Sequence, residues 1–149
     1  MSKLFCPFRN EYVAAQPEEI VRQRLLKTMV EDLGYPKSCI VVEKALNQLP
    51  HLSQKNIQIP DRRVDIFCYT KDQNSKNLVP LLLVECKAIP LSPKTLQQVS
   101  GYNHFVGAPF IAVANAESCF TGWVDLHSQQ LQFIDFLPYY RELSKKLFS

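Results

Sequence analysis

The stretch "VPLLLVECKAIP", from Val79 to Pro90, constrains the fold more than any other part of the sequence. Its aliphatic run reads as a buried strand, yet Glu85 and Lys87 appear near its end with only Cys86 between them. Side chains alternate across a strand, so Leu83, Glu85 and Lys87 share one face, and Val84, Cys86 and Ala88 share the other. A fold that buries this strand must also give the two charges partners. Leaving even a neutral polar group unpaired in an apolar setting costs about 1 to 3 kcal/mol, and a charge costs more.

The flanking segments supply the rest of a sheet. "RVDIFCYT" and "LVPLLLVECKA" are joined by the polar, turn-rich "KDQNSKN" and are expected to pair antiparallel. "SPKTLQQVSGYNHFVG" begins with a Ser-Pro helix start, keeps Leu96, Val99, Tyr102 and Phe105 or Val106 on one stripe, and ends near Gly107. "APFIAVANA" then completes a candidate parallel β-α-β unit. Upstream, "QPEEIVRQRLLKTMVEDLGYP" has Pro at a first helical position and acids in the first turn. It places Ile20, Val21, Leu25, Met29, Val30 and Leu33 at helical spacing and ends on Gly34. "SCIVVEKALN" is a short β-branched strand, and "QLPHLSQKNIQIPDR" reads as a loop or irregular edge. "CFTGWVDLHSQQLQFIDF" suggests a closing hairpin and "PYYRELSKKLFS" a C-terminal helix.

The expected fold is therefore α/β: a mixed sheet flanked by helices, with an αβββαβ core and a C-terminal β/α appendage. The 149 residues, 46% of them hydrophobic, suit a single domain over 1–149 with its core at about 17–115. The net charge of +3 decides little. Cys6, Cys39, Cys68, Cys86 and Cys119 are scattered and odd in number, without metal-ligand spacing, which favours a reducing, cytoplasmic setting. The start "MSKLFCPFRNEY" lacks the features of a signal peptide, and no segment has the roughly 20 apolar residues of a membrane span.

Asp65 lies between Val64 and Ile66 in the strand before Glu85, and hairpin pairing brings the two carboxylates near one another. Two readings of this cluster stay open on the residues alone. In the first, Mg²⁺ is the natural partner: it prefers hard oxygen ligands, keeps several waters and needs only one or two carboxylates, to which the Cys86 backbone carbonyl adds a third ligand. Lys87 would then orient a metal-bound water. In the second, Glu85 and Lys87 form an intrastrand ion pair worth about 0 to 1 kcal/mol, and Asp65 bonds Arg62 or Arg63.

The combination "RRVDIF", "LLLVECKA" and "QVSGY", preceded by "PEEIVRQRLL", resembles the N-terminal nuclease domain of type I restriction enzyme R subunits and their stand-alone relatives, within the PD-(D/E)XK nuclease superfamily. The resemblance runs from about Pro17 to Asn115. It implies a restriction-endonuclease-like fold and a Mg²⁺- or Mn²⁺-dependent DNA endonuclease. It also implies that Asp65 and Glu85 ligate the metal, and that Lys87 positions or activates the hydrolytic water. Gln98 and Tyr102, four apart on one helix face, would contact the substrate backbone or brace the site. A glutamate of the first helix would approach the metal through water, with Glu19 the first choice and Glu18 the alternative.

Val64 stands where the superfamily usually has proline. None of Gly34, Gly101, Gly107 and Gly122 is followed by Lys, so the sequence carries no phosphate-binding motor loop. The resemblance therefore implies DNA as partner, a separate recognition or motor protein, no membrane, and a homodimer where two sites are needed for a double-strand break. The reading from a different class is a DNA-binding or assembly module that keeps the nuclease fold with little activity of its own. A third is a structural α/β protein whose strand charges are only ion pairs.

Among the remaining residues, Arg22, Arg24, Lys27, Lys44, Arg62, Arg63 and Lys94 are candidates for a phosphate-binding rim, against a plain solvated basic face. Cys86 is expected to be a small core hydrophobe. His51, His104 and His127 lack metal-ligand spacing. Tyr139, Tyr140 and Phe148 are expected to seat the C-terminal helix, and Trp123 to be core or interface.

Overall fold

The computed structural model describes residues 2–53 and 58–148. Two short strands, β1 (Lys3–Cys6) and β2 (Glu11–Ala14), pair antiparallel in a small sheet of their own. This N-terminal hairpin has no counterpart in the sequence reading. Its strands are only four residues long, too short for a periodic signal to emerge.

The helix α1 (Pro17–Glu31) follows, then β3 (Ile40–Ala45), β4 (Arg63–Lys71), β5 (Leu78–Cys86), α2 (Pro93–Val106) and β6 (Phe110–Ala114). The chain closes with β7 (Cys119–Val124), β8 (Leu131–Ile134) and α3 (Tyr140–Leu147). The main sheet has six strands in the order β3-β4-β5-β6-β7-β8; β5 and β6 run parallel, and the other neighbours run antiparallel. The expected mixed sheet with an αβββαβ core and a β/α appendage is thus observed. Residues 54–57 of the segment read as a loop lie outside the described residues.

Each face of the sheet is covered by helices. On one, Val21, Leu26 and Met29 of α1 and Leu143 of α3 pack with Ile66, Leu82, Val84 and Cys86. On the other, Leu96, Val99 and Val106 of α2 pack with Val64, Phe67, Leu83 and Val113. Leu26, absent from the expected stripe of α1, is fully buried, whereas Ile20, Leu25, Val30 and Leu33 are only half-buried. The stripe was misplaced because polar residues, described below, occupy part of the helix's inward face. On α2 the inward residue is Val106, and Phe105 faces out.

Two local features fix where the site falls. Between Cys68–Leu82 and Tyr69–Pro80 the β4–β5 register shifts by one residue, a bulge that leaves Leu81 over. It lies next to Pro80, which cannot donate to a ladder. Beyond the bulge Cys68, Phe67 and Ile66 face Leu82, Leu83 and Val84, which brings Asp65 opposite Glu85 just past the last pair. At the other end of the crossover, Gly107 closes α2 at φ 77°, a left-handed conformation that costs glycine little. The Asn103 side chain clamps that turn through the Ala108 carbonyl and N–H at 2.8 and 3.0 Å.

The C-terminal helix is seated by Tyr140, which stacks edge-on against Tyr35 and shares hydroxyl hydrogen bonds with Thr70. Phe148 is half-buried, but Tyr139 is largely exposed, contrary to expectation. Trp123 is half-buried against the α1/α3 layer. All five cysteines are free thiols. Among the described residues no helix is long and apolar enough to cross a membrane.

Candidate active site

Asp65 lies one residue inside the start of the buried part of β4, next to Val64, and is itself buried. Its carboxylate fills the gap where β4 and β5 stop pairing: Oδ2 accepts the Cys86 backbone N–H at 2.7 Å, a bond that in a longer hairpin would belong to the ladder. Oδ1 accepts from the Arg22 guanidinium, also at 2.7 Å. The pairing of Asp65 with Arg62 or Arg63, one of the expectations from sequence, is not formed; the partner comes from α1. Proximity along the chain suggested the wrong arginines: Arg62 lies over the Tyr102 ring and Arg63 donates to the Glu43 carbonyl at 2.9 Å, whereas α1 packs directly onto the sheet and brings Arg22.

Arg22 is the centre of this half of the site. Nη1 donates to Glu19 Oε1 and Nη2 to both Glu43 Oε1 and Asp65 Oδ1, each at 2.7 Å, joining α1, β3 and β4. Its expected place in a phosphate-binding rim is therefore corrected: Arg22 is 6% exposed and faces carboxylates. Burial works against its charge, but the hydrogen bond and charge of Asp65, with those of Glu19 and Glu43, outweigh it and hold the guanidinium above its ordinary value. Nε is buried with no hydrogen-bond partner among the described residues. Arg9, delivered by the turn between β1 and β2, adds a second guanidinium on Glu19 and also donates to Cys6 Sγ at 3.2 Å.

Glu43 reaches Arg22 only through a distortion of its own strand. Its φ is 54°, left-handed for a residue with a side chain, which costs on the order of 1 kcal/mol. The β3–β4 ladder runs through Val42–Ile66, is interrupted at Glu43, and resumes at Lys44–Val64. Val41 and Val42 pack in opposite layers, so a regular strand would have sent Glu43 toward α2, the side away from Arg22.

The other half of the site faces α2. Glu85 accepts a hydrogen bond from the Tyr102 hydroxyl at 3.0 Å, while Lys87 Nζ and Arg62 Nη2 approach it only to 3.6 and 3.8 Å. Burial and the neighbouring Asp65 charge push the Glu85 carboxyl up; Tyr102, Lys87 and Arg62 only partly offset them. Burial and the Glu85 charge push the Tyr102 phenol up in turn, so it stays a donor. The Arg62 guanidinium carbon lies over the Tyr102 ring, 3.8 Å from its centroid, a cation–π contact that holds both side chains.

The structure thus gathers Asp65, Glu85, Lys87 and Tyr102 at one end of the sheet. Glu19 is the first-helix glutamate that turns inward, and Glu18 is exposed. Gln98 is exposed one turn before Tyr102. Cys86 lies in the opposite layer, where burial first and then the Asp65 charge hold its thiol well above the ordinary range, unsuited to act as a nucleophile. His51 is tied to the Tyr69 hydroxyl and the Val106 carbonyl at 2.7 Å each. Arg24, Lys27, Lys44, Arg62, Arg63 and Lys94 remain exposed. Sequence reasoning missed Arg9 and Glu43, and missed what Arg22 does. One signal was available: Arg22 stands three residues after Glu19 on an otherwise apolar helix stripe.

The donors fit a hard cation to a limited extent. Asp65 and Glu85 supply carboxylate oxygens that repel one another, and the cations nearest Glu85 among the described residues stand off at 3.6 and 3.8 Å. Among the described residues no group of three or more His, Cys, Asp or Glu is disposed to hold a metal ion. The fit is thus to an ion that takes two protein carboxylates and completes its shell with water, as Mg²⁺ does.

A family model for the type I restriction enzyme R protein N terminus matches residues 17–138. No curated protein and no solved structure matches the chain. The match covers most of the sequence, and the chain belongs to this restriction-enzyme family, a nuclease-related domain.

Proposed function

We propose that this domain of the type I restriction R-protein N-terminal family hydrolyses phosphodiester bonds in DNA, with Mg²⁺ or Mn²⁺ held by Asp65 and Glu85. The observation that carries the proposal is the convergence of two mutually repelling carboxylates with Lys87, 3.6 Å from Glu85, at the end of the sheet. The Cys86 carbonyl and, through water, Glu19 are the further ligands the family pattern adds. A bound divalent ion supplies electrophilic activation of the phosphate and a water of lowered pKa.

The chain's own residues do the rest. The hydrogen bonds from Arg22 and from the Cys86 N–H hold the Asp65 carboxylate in one orientation, so that no reorganisation is needed on binding. Tyr102 does the same for Glu85. Lys87 has three donors on a flexible stem, is partly exposed, and is suited to orient the attacking water toward the phosphorus. Arg62, stacked on Tyr102, presents a guanidinium at the mouth of the site to the non-bridging oxygens, with Gln98 beside it along α2 as a backbone contact.

The test is a cleavage assay on single-stranded, duplex and branched DNA with Mg²⁺ or Mn²⁺, comparing wild type with Asp65→Ala and Lys87→Ala. Metal-dependent products from wild type alone support the proposal; no cleavage of any substrate, together with no metal binding by calorimetry, ends it. One observation favours a second reading, a DNA-binding or assembly module that relies on a separate recognition or motor protein, or on a second copy of itself: both oxygens of Asp65 are already engaged within the protein. Unchanged DNA affinity and unchanged biological effect in Lys87→Ala would select it.

A further inference from the structure

The Arg22 guanidinium is a cation already installed among three carboxylates, those of Glu19, Glu43 and Asp65. We infer that it stands in place of a second metal ion, so that the centre takes one divalent cation, on the Asp65–Glu85 side, and not two. The inference rests on the cation reading proposed above and adds the stoichiometry of the site and the residue that sets it.

Three observations carry it. First, the guanidinium uses the same oxygens a second ion would need: Nη1 and Nη2 hold one oxygen each of Glu19, Glu43 and Asp65 at 2.7 Å, and the side chain is more than nine-tenths buried. Arginine does not lose its proton in proteins, so this charge is permanent. Second, Glu43 leaves the β3–β4 ladder at φ 54° and delivers its carboxylate to Arg22. The local distortion therefore serves the guanidinium, and Glu43 is spent on it.

Third, the charges close with one ion. Glu19, Glu43, Asp65 and Glu85 bring four negative charges, and Arg9 and Arg22, in direct contact with them, bring two positive ones. One divalent cation makes the cluster neutral, whereas a second would leave two uncompensated positive charges in a largely buried place. Three cations stand outside this balance at longer range: Lys87 and Arg62, at 3.6 and 3.8 Å from Glu85, which then face the negative phosphate, and the exposed Arg63, at 3.8 Å from Glu43. Asp65 can serve both sides: a carboxylate has about four lone-pair positions, of which Arg22 and the Cys86 N–H take two.

The experiment is a Mn²⁺ titration of the whole chain, read by calorimetry and by counting bound ions with electron paramagnetic resonance. Wild type should bind one ion, Glu85→Gln should lose it, and Glu43→Gln should keep it, more weakly because one negative charge leaves the balance. Arg22→Met should gain a second ion and show a larger Mn²⁺-induced rise in Tm than wild type. Two ions on wild type, loss of the ion in folded Glu43→Gln, or a single ion on folded Arg22→Met overturns the inference. Should Arg22→Met fail to fold, the wild-type count and Glu43→Gln still decide it. Two ions on wild type leave the proposed cation chemistry standing, whereas no ion on folded wild type removes that chemistry and this inference together.

Discussion

The two halves of the charge cluster differ in how their acids are held. On the α1 side, Glu19, Glu43 and Asp65 meet Arg22 at 2.7 Å. On the α2 side, Glu85 has, among the described residues, one hydrogen bond at 3.0 Å, from Tyr102, and two cations no closer than 3.6 Å. The same residue types therefore do two kinds of work. A carboxylate that has a guanidinium at contact distance is part of the fold, while one whose cations stand off is under-compensated and ready for another partner. Asp65, bound on one side and facing Glu85 on the other, belongs to both halves.

This contrast can be broken by mutation, most severely at Arg22. Arg22→Met takes the shared guanidinium from three buried or half-buried carboxylates, of which Glu19 keeps Arg9 and Asp65 the Cys86 N–H, and is expected to lower stability by about 3 to 5 kcal/mol, measured by urea denaturation. A loss comparable to that of Lys87→Met would erase the distinction between the halves. Asp65→Ala comes next: it leaves the Cys86 N–H and one Arg22 donor unsatisfied, at a cost of about 1 to 3 kcal/mol, and abolishes any metal-dependent cleavage.

Glu85→Gln sharpens the comparison through pH. Burial and the Asp65 charge raise the Glu85 carboxyl in the folded state, so the native protein holds that proton more tightly than the unfolded chain does. The stabilisation is fully present below the unfolded carboxyl's ordinary range and is lost as pH rises through the elevated folded value. Wild-type denaturation midpoints should fall over that interval, and Glu85→Gln should flatten this part of the profile. A profile unchanged by the substitution would mean that another group is responsible. Lys87→Ala is expected to change stability by no more than about 1 kcal/mol, since its ion pair is long and partly exposed. Its cleavage rate should fall on the order of 100-fold or more if it orients the water. Tyr102→Phe changes stability by a similarly small amount, about 0.5 to 1.5 kcal/mol from one lost hydrogen bond, read from the same denaturation curves.

Much of the scaffold was legible because its signals are local and periodic. The apolar runs of β4, β5 and β6 and the Ser-Pro start and glycine end of α2 each announced an element, and the lengths of the connections announced how neighbours pair. The hairpin between "RVDIF" and "LLLVECK" was enough to bring Asp65 and Glu85 together, and strand alternation put Lys87 beside Glu85. The N-terminal hairpin was not legible, since four-residue strands leave no pattern, and neither was its consequence, the delivery of Arg9 to Glu19.

Periodicity and short-range pairing are thus enough to specify the order of elements, the mixed sheet, and the strand end at which Asp65, Glu85 and Lys87 gather. That Arg22 points inward rather than toward solvent, that Glu19 rather than Glu18 is buried, and that Glu43 leaves its strand to join them emerges only in three dimensions. Those outcomes depend on how α1 lies across β3 and β4. At contact distance in a buried setting, a guanidinium meets carboxylates that are 3, 21 and 43 residues away in the chain, and no local pattern encodes such a meeting.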